Sequence, residues 1–349
     1  MKNQQNPTLV IIGGGIAGME AAAHLLRMGY TTHIVELSDH LGGHVASWHR
    51  LFPDMSRAQD LIARLQANLA AAIVHLNTRV VSVQRVWGGF ALMLSTGEQL
   101  EAKALLVATG FSLFDAHRKE EYGYGVYSHV VTNADLEAWF RSGQDSRIPA
   151  HPESVGFVHC VGSRDVKACN TQCSKVCCMT AIKQAIELKE RFPEAEVYCF
   201  YMDLRLFGKK YEDFYINAQH DYGVHFIRGR VSEVSEDQGQ RLIVKAEDTL
   251  MSRPLLIPLD MLVLMSGMVS PSDSAELLHL LRLERDSDGF FCSKDNIARI
   301  HQSNQRGIFY AGACTGTKTT PESLAEAGAA ALAIHEYCQH RMIDHGLRI

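Results

Sequence analysis

The stretch "TLVIIGGGIAGMEAAAHLLRMGYTTHIVEL", residues 8–37, constrains the fold more than any other part of the chain. Four β-prone apolar residues run into Gly13, Gly15 and Gly18, an alanine-rich helical segment follows, and the strand "THIVEL" ends near Glu36. A G-x-G-x-x-G pattern means little alone, but strand before, helix after and acid at the end of the next strand supply the context that a dinucleotide site requires. Gly13 allows the tight turn, Gly15 lets backbone approach a pyrophosphate, and Gly18 lets helix pack on sheet. The helix N-terminus stabilises phosphate charge. Glu36 is placed to accept hydrogen bonds from a ribose 2′-OH, which argues against a 2′-phosphate. Weighed against a glycine-rich turn with no ligand, the full context favours an adenine dinucleotide.

Further segments extend the pattern. "LSDHLGGH" places Gly42, Gly43 and His44 just after the acid-bearing strand, and "NTRVVSV" is a short strand with Val80 set to touch an adenine. "EAKALLVATG" closes a strand on Ala108, Thr109 and Gly110. Much later, "RGIFYAGAC" carries Gly312 and Ala313 and leads to "TPESLAEAGAAALAI", a helix opening at Pro321, Glu322 and Ser323. This series resembles the two-dinucleotide-fold flavoprotein disulfide reductases, thioredoxin reductases among them. The resemblance implies an α/β fold of two Rossmann-like units, the second inserted into a discontinuous FAD domain. It also implies FAD against Gly13, Gly15, Ala17, Gly18, Glu36, Gly42, Gly43, His44, Val80, Ala108, Thr109, Gly110, Gly312, Ala313, Lys318, Glu322 and Ser323. Those reductases place an acid on the flavin ribityl chain where this chain has Ala313, so that contact is expected to be made otherwise or not at all. Lys318 and the positive end of the last helix are expected near the flavin N1–C2=O edge, where they would stabilise the reduced flavin. A solvated surface position for Lys318 is the alternative.

The expected division is residues 1–148 and 272–349 for the FAD domain and 149–271 for the insert, about two domains for 349 residues. Composition is that of an ordinary soluble protein, 46% hydrophobic and 21% charged. The net charge of −5 and scattered Lys and Arg argue against nucleic-acid and anionic-membrane partners. "MKNQQNPTLVIIGGG" lacks the long apolar run of an export signal. Pro258, Asp260 and Gly267 break the most apolar later segment, so it cannot span a bilayer. A cytoplasmic location is expected, and there clustered cysteines are read first as metal-binding or catalytic.

Within the insert, "VGFVHCVGS" reads as a strand, "MTAIKQAIELKERF" as an amphipathic helix and "AEVYCFYMD" as a strand. "YEDFYINAQHDYG" reads as helical, "VHFIRGRVSEVSED" with "QRLIVKAED" as a strand pair, and "DMLVLMSGMV" as the return to the first domain. A second dinucleotide site would need its own glycine turn after the first of these strands. The residues there are "CVGSRD", with Gly162 alone and a cysteine at the head of the turn. Without paired glycines, backbone cannot come close to a pyrophosphate, so a nicotinamide site of the usual kind is not expected.

Cys160, Cys169, Cys173, Cys177 and Cys178 fall within nineteen residues. None of these spacings is the C-x-x-C that lowers a thiolate pKa in thioredoxin-like redox sites. Buried structural thiols suit the polar run Asn170, Thr171, Gln172, Ser174 and Lys175 poorly. Zinc knuckles prefer two C-x₂₋₄-C pairs, which the adjacent Cys177 and Cys178 do not supply. An iron–sulfur cluster needs four converging thiolates, and spacing alone favours it over zinc without excluding zinc.

The segments "HCVGSRD", "CSKVCCMTAIK", "YMDLRLFGKKYEDFY", "EEYGYGVY" and "LMSGMV" resemble the A-type subunit of heterodisulfide reductase, and in particular its short form in sulfur-oxidising bacteria. That resemblance implies a [4Fe–4S] cluster on Cys160, Cys173, Cys177 and Cys178, with no counterpart for Cys169. It implies an electron-transfer component of a cytoplasmic sulfur-oxidation complex, with B- and C-type subunits, a lipoate-binding protein and a second copy of the chain as partners. Methanogen versions are longer. The C-x₂-C-x₂-C-x₃-C-P run of further clusters does not occur here, so electron bifurcation is not implied. The rival readings are an NAD(P)H-dependent, thioredoxin-reductase-like disulfide reductase and a zinc-stabilised flavoprotein scaffold.

Overall fold

The computed structural model describes residues 7–346. Residues 1–6, part of the stretch read as lacking an export signal, lie outside the described residues. Two five-stranded sheets organise the chain. In chain order their strands are β1 (Thr8–Ile12), β2 (Thr31–Val35), β3 (Ile73–His75), β4 (Ala104–Val107), β5 (Val130–Thr132), β6 (Ser154–Val161), β7 (Glu196–Tyr201), β8 (His225–Arg228), β9 (Met261–Ser266) and β10 (Ile308–Tyr310). The first sheet has the order β10-β4-β1-β2-β3 and the second β8-β7-β6-β9-β5. All pairings in both are parallel.

Parallel strands are covered on both faces and therefore read as unbroken apolar runs. In β1, Leu9 to Ile12 are buried, and in β4 all of "ALLV" is. On the first sheet, helix α1 (Ile16–Arg27) packs against the C-terminal helix, and both helices bury a run of alanines. Ala21, Ala22 and Ala23 of α1 and Ala327, Ala330 and Ala331 of the later helix are all at most 1% exposed. Alanine gives up little side-chain entropy in a helix and leaves room for two backbones to approach.

The chain separates into two compact units. One comprises the chain up to Ala46, Gln59–Ser112 and everything from Val269. The other comprises Ser47–Ala58 and Leu113–Met268. The crossing thus falls at residue 113 rather than at 149. The cause is β5, only three residues long, which pairs with β9 and brings helix α2 (Asn133–Ser142) into the second unit. A Thr132–Asp135 capping box and a left-handed Gly143 bound α2 at its two ends. The segment around "DMLVLMSGMV" also differs from expectation. As β9 it pairs with β6 and β5 inside the second sheet. "VHFIRG" supplies β8 of that sheet, while Val231–Glu236 and Leu242–Asp248 pair antiparallel, joined by Arg253–Leu259. Among the described residues no helix is long and apolar enough to cross a membrane.

Helix α3 (Cys177–Arg191) runs across the second unit and carries charges into its interior. Lys183 and Glu187 of α3 and Glu137 of α2 are each less than 5% exposed. The Lys183 ammonium bonds the Glu137 carboxylate, lies 3.4 Å from Glu187 and donates to the Arg50 carbonyl at 3.1 Å. His49 reaches Glu187 at 2.7 Å and Arg50 reaches Glu190 at 2.7 Å, so this network also holds the Ser47–Ala58 segment. Burial raises the Glu187 carboxyl above the usual range, Lys183 acts to lower it, and Glu137 adds to the rise.

Candidate cofactor sites

In the first unit, the loops after β1, β4 and β10 leave the same edge of the sheet, because these strands are adjacent and in register. The C-terminal edge of a doubly wound sheet is where such folds place ligands. At Gly13 the backbone has φ +108°, and a Cβ there would collide with the Ala108 carbonyl oxygen. A Cβ on Gly18 would collide with the Gly13 carbonyl oxygen, so the first turn of α1 sits directly on the glycine turn. By contrast, nothing lies within 4 Å of where a Cβ on Gly15 or Gly110 would be. These two positions open onto free space at the sheet edge.

Glu36 fixes the turn from the next strand. Its Oε2 accepts from Gly14 N–H at 2.6 Å, and its Oε1 accepts from the Ser38 amide at 2.8 Å and hydroxyl at 2.6 Å. Gly42 N–H donates to the Gly14 carbonyl at 2.8 Å, which brings the Gly42–Gly43 turn beside the fingerprint. The His44 ring stacks on Phe111 with 4.4 Å between centroids, and its Nε2 lies 2.8 Å from the Phe111 carbonyl oxygen. Val80 is buried in the core with Val10, Val35 and Leu94. Glu322 closes a capping box with Thr319 at the start of the last helix, and Ser323 lies buried beside Gly312. Ala17 abuts the position a Gly312 Cβ would take, at 2.7 Å.

The Thr109 hydroxyl tests whether this edge suits FAD. It is buried and has no hydrogen-bond partner. A hydroxyl left so is costly unless something else satisfies it. With the open glycine positions beside it, the site fits a bound dinucleotide. Thr109→Val removes the hydroxyl at nearly constant shape. It is expected to weaken FAD binding by roughly 3–10-fold, as one modest hydrogen bond would, measured by titrating flavin-free protein.

In the second unit, β6 leads into the cysteine loop. The pairing of β6 with β9 breaks between Val158 and Val161, and Cys160 there has φ +61°. Arg164 (φ 54°), Cys169 (φ 55°) and Lys175 (φ 63°) are left-handed as well. Non-glycine residues in that region are strained and persist only where their surroundings hold them. Here the restraints are explicit. Asn170 Nδ2 donates to the Gly162 carbonyl at 2.8 Å, the Ser163 and Ser174 hydroxyls bond each other, and Met268 N–H donates to Ser174 at 2.8 Å. Lys119 pairs with Asp165 at 2.7 Å and Arg164 with Asp203 at 2.6 Å. The Phe114 ring occupies the place that a Gly162 Cβ would take.

The thiols gather at the C-terminal end of β6 and the N-terminus of α3. Cys177 is the electrostatic neighbour of both Cys160 and Cys178, and both Cys160 and Cys173 bear on the Arg164 guanidinium. No side chain caps α3, so its first N–H groups and positive end favour thiolate at Cys178. The Cys177 proton lowers the Cys160 and Cys178 thiols, against burial, while Cys177 itself is raised by those same neighbours. Cys177 and Cys178 are buried, Cys160 and Cys173 half-buried and Cys169 exposed. Cys160, Cys177 and Cys178 are mutual neighbours, Cys173 lies on the restrained loop between them, and sulfur donors of this kind fit an iron–sulfur cluster in their chemistry. Among the described residues no three His, Cys, Asp or Glu side chains are grouped as a site for a metal ion.

Some residues at this site carry no sequence signal. His159 is 7% exposed, neither ring nitrogen has a hydrogen-bond partner of ordinary geometry, and the Cys178 and Cys199 thiols are its polar neighbours. Burial opposes a charged imidazole there, and those two thiols outweigh it. Only the inward direction of alternate strand residues could have pointed to His159 and Cys199.

Residues 4–147 match the pyridine nucleotide-disulphide oxidoreductase family. The chain is 42% identical to the second A-type iron-sulfur subunit of CoB–CoM heterodisulfide reductase from Methanopyrus kandleri, over 66% of this chain and 36% of that protein. It is 32% identical to the A-type iron-sulfur subunit of CoB–CoM heterodisulfide reductase from Methanocaldococcus jannaschii, over 93% of this chain and 63% of that protein. The chain thus spans 36% to 63% of the length of these two relatives. Among solved structures, thioredoxin reductase of T. acidophilum superposes with a TM-score of 0.65 at 18% identity, over 95% of this chain and 99% of that one. Thioredoxin reductase of Lactococcus lactis does so with a TM-score of 0.67 at 17% identity, over 96% and 100%. The expected two-unit α/β reductase fold is therefore present. Fold and relatives together mark the chain as similar to the A-type subunits of heterodisulfide reductases.

Proposed function

We propose that the chain is an electron-transfer flavoprotein, with FAD on its first unit and a [4Fe–4S] cluster on Cys160, Cys173, Cys177 and Cys178 of its second. The observation that carries the reading is the gathering of thiols where a doubly wound sheet otherwise holds its nucleotide, at the end of β6 and the start of α3. FAD takes up electrons in pairs and a cluster carries them singly. The protein's part is to hold these groups and tune them. Gly13, Gly15, Gly18 and Glu36 would seat the dinucleotide, with Thr109 satisfied by it. Lys318 would set charge beside the isoalloxazine. The restrained loop would present Cys160 and Cys173, and α3 would present Cys177 and, at its uncapped end, stabilise the Cys178 thiolate.

In this reading the second unit is a nucleotide-binding type of fold that has given up its glycine fingerprint. The partners proposed are B- and C-type heterodisulfide-reductase-like subunits, a lipoate-binding protein and a second copy of the chain. The setting proposed is cytoplasmic sulfur oxidation.

The test is anaerobic reduction of the FAD-loaded protein, followed by flavin absorbance. Dithionite is expected to bleach the flavin, whereas NADH and NADPH are expected to leave it oxidised over many minutes. Rapid bleaching by either nucleotide would select the self-sufficient disulfide-reductase reading instead.

A further inference from the structure

The turn after β10 and the last helix, α4 (Thr320–Gly346), enclose an acid–base pair that the sequence does not advertise. Glu326 lies on the alanine-rich stretch of α4 and is 5% exposed. Its Oε2 accepts from Gly312 N–H at 2.8 Å and sits 3.3 Å from the Lys318 ammonium. Its Oε1 is buried and has no partner. Lys318 in turn donates to the Gly312 carbonyl at 3.0 Å and to the Thr315 hydroxyl at 2.5 Å. One carboxylate and one ammonium therefore clamp the two ends of a single residue, Gly312, whose φ is +76°.

Position gives this clamp its meaning. Gly312 directly continues β10, Tyr310 of β10 is in register with Val107 of β4, and Val107 with Ile12 of β1. The clamp is therefore on the same sheet edge as the Gly13–Gly15 turn and the unsatisfied Thr109 hydroxyl. A buried charge without a partner is costly, and retaining the pair at this edge calls for a role beyond packing. Ala313 supplies no acid to the turn, and Glu326 brings one to it from the helix.

We propose that Glu326 is a positioning residue for the flavin, which holds Lys318 at the Gly312 turn and sets the net charge that the bound cofactor meets. The proposal rests on FAD binding at this edge. Removing the Glu326 charge leaves the Lys318 ammonium uncompensated, which favours the more negative, reduced flavin. Removing Lys318 does the opposite.

The experiment measures the flavin midpoint potential by spectroelectrochemistry in FAD-loaded wild type, Glu326→Gln, Lys318→Met and the double variant, with FAD dissociation constants alongside. A positive shift in Glu326→Gln, a negative shift in Lys318→Met and a double variant between them are expected. A Glu326→Gln protein that keeps its flavin at the wild-type potential overturns the proposal. If Glu326→Gln does not fold, Glu326→Asp decides, since it retains the charge. A potential close to wild type with weaker FAD binding supports the proposal, and a shift as large as that of Lys318→Met overturns it. Wild-type protein unable to bind FAD would instead remove the underlying reading.

Discussion

Cys177→Ala, isolated without oxygen, is expected to lose at least roughly tenfold in bound iron and acid-labile sulfide, since a direct ligand matters more than the outer partners whose loss costs 10–100-fold. FAD content is expected to stay at the wild-type level. Cys177 is the first residue of α3 and belongs to the second unit, whereas the glycine fingerprint, Glu36 and Thr109 belong to the first. The thiol is 4% exposed and contacts both Cys160 and Cys178, so no solvent-borne ligand can readily take its place. Truncation to alanine removes one buried sulfur and keeps a good helix former, so the fold should survive. Wild-type iron in the variant would move the ligand set elsewhere in the loop, with exposed Cys169 the first residue to examine.

The second large effect is on stability. Lys183→Met is expected to destabilise the second unit by about 3–5 kcal/mol near neutral pH, the range for breaking a buried ion pair from one side. The methionine fills most of the volume, but Glu137 and Glu187 are left buried without their shared cation. His49 and Arg50, both about a third exposed, are the charges that remain on Glu187, and Arg50 is already committed to Glu190. Burial and repulsion from Glu137 then raise the Glu187 carboxyl further in the folded variant, since the opposing Lys183 charge is gone. An acid raised on folding contributes stability below its unfolded pKa and loses it as pH rises through the folded pKa. The penalty should therefore be smaller near about pH 5 than near about pH 8, read as the denaturant midpoint at each pH. A penalty independent of pH would mean that Lys183 acts through packing alone.

Much of the first unit is legible in the linear pattern because each of its rules is local. A strand must precede the Gly13 turn, a helix must follow it, and Glu36 must close the next strand, and all three hold within thirty residues. The cysteine loop is legible in part. Spacing groups the thiols, but only the third dimension shows the left-handed Cys160 and the Phe114 ring against Gly162. The unit boundary was hidden because β5 has three residues and gains its identity from β9, more than a hundred residues later. Glu326, Lys183 and Glu187 were hidden for another reason. A charged residue on a helix reads as solvent-facing unless a partner from a distant segment buries it. Nothing local marks Arg50 or the Gly312 turn as meeting those side chains.

The central claim is that thiolates holding a cubane occupy the place where a second nucleotide would otherwise bind, in a chain whose other unit carries flavin. It is tested most directly by quantifying iron, acid-labile sulfide and flavin together in anaerobically isolated protein, with an EPR spectrum after dithionite reduction. About four irons and four sulfides per flavin, as a [4Fe–4S] centre requires, with a signal appearing on reduction, is the expected result. Protein that holds zinc, or no metal at all, while binding NADH or NADPH tightly would contradict it.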